Sequence, residues 1–149
     1  MVGEGEDRGK TIYLPNERGI SRLQLIASEV ERTLEAWQPR FVAVEGYAYV
    51  KNVGSFVTLV EIGTVVRLAV RSVGLSWVEV PPTVLKKWTT GKGNAKKDQM
   101  AIRALEWGHA SHSDDIVDAY CLAQMAQMGW HEILAVRGVS VGWKNPAHF

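Results

Sequence analysis

Two apolar stretches of the sequence each carry a carboxylate where a buried hydrophobic residue would be expected. Glu45 follows the run FVAV at residues 41–44, and Asp118 lies inside the run IVDAYCLA at residues 116–123. Burying an unpaired carboxylate costs several kcal/mol, so such a group normally shifts its pKa or binds a cation. Asp115 lies three residues before Asp118, on the same face of a helix. These three acids are therefore the candidate catalytic residues.

Carboxylates on one face repel each other unless a positive charge lies between them. Mg²⁺ or Mn²⁺ fits this need because hard divalent ions prefer carboxylate oxygens and retained water. One or two such ions held by Glu45, Asp115 and Asp118 would suit phosphodiester hydrolysis. Simpler explanations remain open for each acid. Asp115 is favourable at the start of a helix, Asp118 could pair with an arginine, and Glu45 could begin a loop.

A basic segment rich in glycine lies between the two acidic positions. Five of the 17 basic residues fall within twelve positions: Lys86, Lys87, Lys92, Lys96 and Lys97. The loop GKGNAKK is not a Walker A motif, because it joins two predicted helices and no Ser or Thr follows Lys97. Backbone amides of Gly91 and Gly93, with the lysines, would suit contacts to DNA phosphates. The alternative is an ordinary solvated helix end and loop.

The elements that position these residues follow from hydrophobic periodicity and from proline and glycine. Strands are predicted at residues 11–14, 41–44 and 77–80, with the second at the centre of the sheet. Helices are predicted at residues 19–37, 55–74, 82–88, 95–107 and 114–128. Gly63 inside the second helix indicates close packing against a neighbour. Strands that alternate with helices predict an α/β domain. Residues 1–129 are assigned to one domain, and residues 130–149 to a C-terminal extension whose periodicity is too weak to place.

Composition excludes several classes of protein. The chain has 149 residues, 46% of them hydrophobic and 22% charged, which is typical of a single globular domain. The most apolar stretch, residues 55–74, is interrupted by Glu61, Arg67 and Arg71, so no membrane association is expected. The single cysteine, Cys121, and the acidic, glycine-rich start predict a cytoplasmic protein.

Four motifs occur in an order that resembles the RuvC family of Holliday junction resolvases, and most closely its short phage-encoded branch. They are VAVEGYAYV, EIGTVVR, VPPTVLKKWTTGKGNAKKDQMA and SDDIVDAYCLA, and the resemblance covers residues 18–128. It implies an RNase H-like mixed central sheet with flanking helices. It also implies a homodimeric, Mg²⁺- or Mn²⁺-dependent endonuclease that cuts four-way or other branched DNA during recombination, repair or phage DNA processing. A phage-encoded protein would act in the host cytoplasm.

The resemblance assigns roles to particular residues. Glu45 matches the acid of the family's fourth strand, and Asp115 and Asp118 match the D-x-x-D pair of its last helix. Lys92, Lys96 and Lys97 match the basic segment that grips DNA near the scissile phosphate. Tyr47 and Tyr49 fall where relatives can carry an aromatic that stacks on DNA, although either could equally be a core residue.

One part of the family pattern is not matched. Family members begin with a strand that carries a fourth carboxylate, an aspartate, within a first hairpin, and this sequence begins as if that hairpin were incomplete. The early acids Glu4, Glu6, Asp7 and Glu17 lie in polar surroundings, so none is assigned that role. The alternative function is therefore a non-catalytic junction- or DNA-binding module that has lost its nuclease site. His109 and His112 could assist as base or ligand, but surface positions are favoured for both.

Overall fold

The computed structural model describes residues 9–111 and 113–148 as a layered α/β arrangement. Its elements in chain order are α1 Gly19–Trp37, β1 Val42–Glu45, α2 Val53–Ser72, β2 Trp77–Val80, α3 Pro82–Thr90, α4 Lys97–Glu106, α5 Asp114–Ala126, α6 Trp130–Leu134 and β3 Ser140–Trp143. The predicted α/β class is therefore confirmed. The five predicted helices all form, with ends that differ by a few residues at most.

The described strands form one sheet in the order β1-β2-β3. β1 runs parallel to β2, and β3 runs antiparallel to it. The prediction that residues 41–44 form the central strand is wrong for this sheet, because β2 lies between the other two. β1 forms an outer strand among the residues that the structure describes.

The helices cover both faces of the sheet. Side chains alternate along β2, so Trp77 joins the core beneath α1 and α2, whereas Val78 and Val80 join the core beneath α3, α4 and α5. The first core includes Ile26, Val30, Leu34, Ala69 and Val70. The second core includes Leu85, Met100, Val117, Cys121, Met125 and Ile133.

Residues 11–14 do not form the predicted strand. Their backbone is irregular, and Ile12 and Leu14 instead pack against the core that α1 and α2 share. Ile12 and Leu14 are thus partly buried beside the two helices, and the segment does not pair with an edge of the sheet. The chain turns at Pro15 and enters α1 at Gly19.

Residues 130–148 contain α6 and β3. Trp130 and Ile133 are buried in the core beneath α5, and β3 pairs with β2. Weak sequence periodicity is expected here because α6 has only five residues and β3 only four. The domain limits at residues 1–129 and 130–149 stay a prediction.

Helix α2 combines a packed face with an exposed apolar face. It packs against α1, and its residues in the shared core lie from Ile62 onward, whereas Val53, Phe56, Val57 and Leu68 are each more than 40% exposed. By length and a mean hydropathy of 1.7, α2 is also long and apolar enough to cross a membrane. Arg67 ties it to the sheet through an ion pair with Glu79 of β2, as described below.

Candidate active site

The parallel pair β1-β2 directs Glu45 to the carboxyl end of the sheet. Glu45 is the last residue of β1, and the next amide, that of Gly46, donates a hydrogen bond to the carbonyl of Val80 at 2.8 Å. Ligand-binding crevices of α/β sheets lie at this end of the strands. Glu45 is an exposed residue, although protein atoms fill much of the space around its carboxyl group.

Helix α5 brings the second group of acids to the same place. The Ser113 side chain caps the helix by accepting a bond from the amide of Ile116, and α5 packs against β1. Asp114 and Asp115 occupy the first turn, where the positive end of the helix favours negative charge. Asp118 lies one turn further along and is half-buried.

The carboxylates influence one another electrostatically. Partial burial, the largest cause, together with the charges of Asp118 and Asp115, raises the pKa of Glu45 to about 7, although Lys86 acts in the opposite direction. Burial also raises the pKa of Asp118, and Asp115 adds to this effect while Lys86 again opposes it. Neither Glu45 nor Asp118 forms a salt bridge with another described residue. The alternative explanation of Asp118, an ion pair with an arginine, is thus not found among those residues.

The three acids lie near one another, but their side chains do not converge on one point. Among the described residues, no set of three His, Cys, Asp or Glu side chains is close enough to hold a metal ion as it stands. The donors nonetheless fit a hard divalent cation, because all three are carboxylates, and burial together with neighbouring acids raises the pKa of Glu45 and Asp118. Early acids Glu4, Glu6 and Asp7 lie outside the described residues.

Lys86 belongs to the acid cluster, a placement that the sequence did not reveal. It was predicted as one of several DNA-binding lysines, but its charge acts on both Glu45 and Asp118. It is half-buried on α3, four residues after the helix begins, and α3 packs against α5. Lys87, the next residue, is exposed, and it is not among the groups that shift the pKa of Glu45 or Asp118.

The glycine loop lies between α3 and α4, as predicted. Gly91 ends α3 in the left-handed conformation at φ 86°, and its amide donates to the carbonyl of Lys87 at 2.8 Å. The Lys92 amide donates to the Thr90 hydroxyl. The Gly91 amide is therefore not available for a phosphate, contrary to the prediction, because it caps the helix.

The lysine side chains of this segment remain at the surface. Lys92, Lys96 and Lys97 are exposed, and Lys97 Nζ lies 3.0 Å from Asp114 Oδ2. This ion pair connects the basic segment to the first turn of α5, which carries Asp115. The structure therefore places positive charge beside the acid cluster.

Neither tyrosine after Glu45 is a core residue. Tyr49 is 89% exposed, and Tyr47 is 41% exposed beneath the guanidinium of Arg67. His109, expected at the surface, is buried and stacks on Tyr120 with ring centroids 4.2 Å apart. His112 lies outside the described residues.

A small mixed sheet with helices on both faces, and carboxylates at the end of a parallel strand and on a facing helix, is the arrangement of the RNase H-like fold. The family model described as Crossover junction endodeoxyribonuclease RuvC matches residues 8–125. The chain belongs to the RuvC family.

Individual relatives agree with this assignment. The Crossover junction endodeoxyribonuclease RuvC of Synechococcus sp. (strain WH7803) is 30% identical over 114 residues, which cover 74% of this chain and 71% of that protein. The RuvC of Heliobacterium modesticaldum is 33% identical over 108 residues, covering 69% of this chain and 65% of the relative.

Solved structures show the same fold. A Thermus thermophilus RuvC structure in complex with a Holliday junction substrate matches with a TM-score of 0.67 and 23% identity, covering 74% of this chain and 69% of that one. A second Thermus thermophilus RuvC structure matches with a TM-score of 0.64, covering 80% and 76%. At this identity the likeness is one of fold.

Proposed function

We propose that this chain is a structure-selective endonuclease that hydrolyses phosphodiester bonds in four-way or other branched DNA. The observation that carries the proposal is the cluster of Glu45, Asp115 and Asp118 beside exposed lysines, in a member of the RuvC family. Relatives of the chain are named crossover junction endodeoxyribonucleases. Recombination and DNA repair, in the cytoplasm, are the processes in which such an activity would serve.

Glu45, Asp115 and Asp118 would hold one or two Mg²⁺ or Mn²⁺ ions. A bound ion of this kind would activate water and stabilise the leaving oxygen. The raised pKa of Glu45 means that protons compete with a cation near pH 7. Lys86 lowers the pKa of Glu45 and Asp118 and so helps to keep both ready as anionic ligands.

The remaining residues would bind and orient the DNA. Lys87, Lys92, Lys96 and Lys97 would contact backbone phosphates from the surface of α3, the glycine loop and α4. Tyr49, exposed just beyond the acid cluster, would stack on a base at the branch point. Tyr47 would contribute from the same turn while remaining packed under Arg67.

A cleavage assay tests the proposal. Purified chain is incubated with an end-labelled four-way junction and a matched linear duplex, with Mn²⁺ or Mg²⁺. We expect cleavage of the junction that Asp118→Asn abolishes and that Asp98→Asn, an exposed acid of the first turn of α4, leaves unchanged. Cleavage that survives Asp118→Asn, or no cleavage at all, would refute the proposed activity.

The second candidate function is binding of branched DNA without catalysis. It is motivated by the sequence, in which no residue is matched to the aspartate of the family's first strand. Calorimetric titration with Mn²⁺ separates the two functions. Tight junction binding without metal-dependent heat, and without cleavage, would support the binding module.

The exposed face of α2 is suited to a second copy of the chain. Val53, Val57 and Leu68 lie on one side of α2 as an apolar stripe that Thr64 interrupts, and each is at least 48% exposed. A four-way junction has two equivalent strands to be cut, so paired cleavage requires two active sites. We therefore include a homodimer formed through α2 in the proposal.

A further inference from the structure

We propose that Arg67 of α2 is a positioning residue, which fixes the turn after Glu45 and the ring of Tyr47. The inference deepens the proposed nuclease function, on which it rests for its effect on cleavage. Arg67 is one of three charged residues of α2, with Glu61 and Arg71, and its side chain is only 15% exposed. A charge in this position must be held by specific partners.

Glu79 holds the guanidinium from the centre of the sheet. Arg67 Nε lies 2.6 Å from Glu79 Oε1, and Nη2 lies 2.7 Å from Oε2, so the two groups pair through both oxygens. Trp77 Nε1 donates a third bond to Glu79 Oε1 at 2.9 Å. Planar two-pronged pairs fix orientation as well as distance.

Arg67 and Glu79 each stabilise the charged form of the other. Burial alone would raise the pKa of Glu79, but hydrogen bonds from Arg67 and Trp77 outweigh it, so the pKa of Glu79 lies below its ordinary value. The hydrogen bond with Glu79 is the largest cause that raises the pKa of Arg67. Both groups therefore stay charged near neutral pH.

Arg67 also donates hydrogen bonds to the turn that follows β1. Nη2 lies 3.4 Å from the carbonyl oxygen of Glu45, and Nη1 donates to the Tyr47 hydroxyl at 3.2 Å. The guanidinium carbon also lies 4.6 Å from the centroid of the Tyr47 ring, a cation–π geometry. One side chain thus contacts the residues on both sides of Gly46.

Gly63 leaves the space that this arrangement needs. A Cβ atom at Gly63 would lie 2.5 Å from Tyr47 Cε1 and 2.8 Å from Arg67 Nη1, and the Gly63 carbonyl accepts a bond from that nitrogen at 2.9 Å. The close packing predicted for Gly63 is confirmed, with Tyr47 and Arg67 as its neighbours. Helix α2 and the turn after β1 therefore pack closely against each other at Gly63.

Arg67 acts on Glu45 through the backbone rather than through charge. Lys86, and not Arg67, is the basic group that lowers the pKa of Glu45. Loss of Arg67 should therefore change where the Glu45 carboxylate and the tyrosines lie, and leave the proton affinity of Glu45 largely as it is. Misplacement of a reacting group by about 1 Å can cost as much as 100-fold in rate.

The experiment compares Arg67→Lys, Tyr47→Phe and the double variant with the control Arg71→Lys. Arg71 lies one turn later on α2 and contacts the Trp143 ring instead. Lysine keeps the charge at position 67 but cannot contact Glu79, Glu45 and Tyr47 together. Readouts are backbone hydrogen exchange of residues 45–50, junction affinity without divalent cation, and the cleavage rate at saturating junction.

We expect Arg67→Lys to speed hydrogen exchange at residues 45–50 and to slow cleavage about tenfold, and junction affinity to fall by a smaller factor, because the contacts of the lysines with phosphates are unaffected. The double variant should cleave at close to the rate of Arg67→Lys alone, because the shorter hydrogen bond that Tyr47→Phe removes is the one from Arg67, at 3.2 Å, and its other bond, to the Val60 carbonyl, is long at 3.5 Å. Glu79→Gln, which leaves Arg67 in place without its ionised partner, should shift exchange and rate in the same direction.

The inference is overturned if Arg67→Lys matches Arg71→Lys in exchange and cleavage, or if the losses from Arg67→Lys and Tyr47→Phe multiply. Failure of the nuclease proposal would appear differently, as a wild-type chain that does not cleave. Hydrogen exchange would then decide by itself whether Arg67 fixes the turn.

Discussion

Glu45, the last residue of β1, and Asp118, one turn into α5, lie near enough for the charge of Asp118 to add to the effect of burial in raising the pKa of Glu45. They come from segments more than 70 residues apart, joined here by the packing of α5 against β1. Two acids in this relation carry unfavourable electrostatic energy in the absence of a cation. The pair therefore makes the stability of the protein depend on pH.

Glu45→Gln should reduce that pH dependence. The folded-state pKa of Glu45 is raised from 4.5 to about 7, so its favourable contribution is complete below pH 4.5 and is lost as pH rises through about 7. In metal-free buffer, the melting temperature of the variant minus that of wild type should therefore increase as the pH rises from 4.5 to about 7. Glu35→Gln, on exposed α1 surface, is the matched control. A difference between variant and wild type that does not change with pH would contradict the prediction.

Lys86→Met should move the pH dependence of junction cleavage. The charge of Lys86 lowers the pKa of both Glu45 and Asp118, so its removal lets both values rise. At a fixed Mn²⁺ concentration, the acidic limb of the pH–rate profile should shift to higher pH. Lys87→Met, at the neighbouring exposed position, should leave the profile in place. An equal loss of rate at every pH would show that Lys86 acts in another way.

Most of the fold could be predicted from the sequence because its helices are long and periodic. Residues 19–37 and 55–74 bury stripes that repeat every three to four residues, and the structure confirms both helices. The order of the strands could not be predicted. It depends on β3, whose four residues carry no alternating pattern and are mostly exposed.

The individual acids could be found from the sequence, but their environment could not. Glu45 and Asp118 are visible as charges inside apolar runs, whereas the placement of Lys86 among them depends on how α3 packs against α5. Arg67 and Glu79 give a weaker signal of the same kind, since Glu79 is the single charge of β2 and Arg67 lies among apolar residues of α2. Only the fold shows that the two charges form a pair.

Substitution of single lysines should reduce the salt dependence of junction binding. Each lost phosphate contact lowers the slope of log K against log salt by about 1. Lys92→Gln and Lys96→Gln should have this effect, and Lys97→Gln a smaller one, because Lys97 already pairs with Asp114. Arg40→Gln, just before the opposite end of β1, is the control and should leave the slope unchanged. Equal slopes for all four variants would argue against this DNA-binding face.

Gly142→Ala should destabilise the sheet. A Cβ atom at Gly142 would overlap the indole of Trp77, whose register with β3 is shifted at this point. Because Trp77 is also buried and bonded to Glu79, it cannot move aside freely. Overpacking of this kind costs about 1–3 kcal/mol, measurable by urea denaturation. Gly93→Ala, whose Cβ would meet its nearest neighbour at an ordinary 3.4 Å, is the control. Equal stability of the two variants would contradict the pairing of β3 with β2 that places Gly142 against Trp77.

Leu68→Glu should separate the proposed homodimer. Leu68 is 61% exposed on the apolar stripe of α2, and burial of a glutamate against the same stripe of a second copy would leave its charge unpaired. We expect its dimer dissociation constant to rise at least about tenfold, a loss of about 1.4 kcal/mol. Sedimentation over a range of protein concentrations measures this value. Leu105→Glu is closely matched, because Leu105 is also 61% exposed but lies on α4, away from α2. A wild-type chain that sediments as a monomer, or a Leu68→Glu variant that dimerises as well as Leu105→Glu, would exclude α2 as the interface.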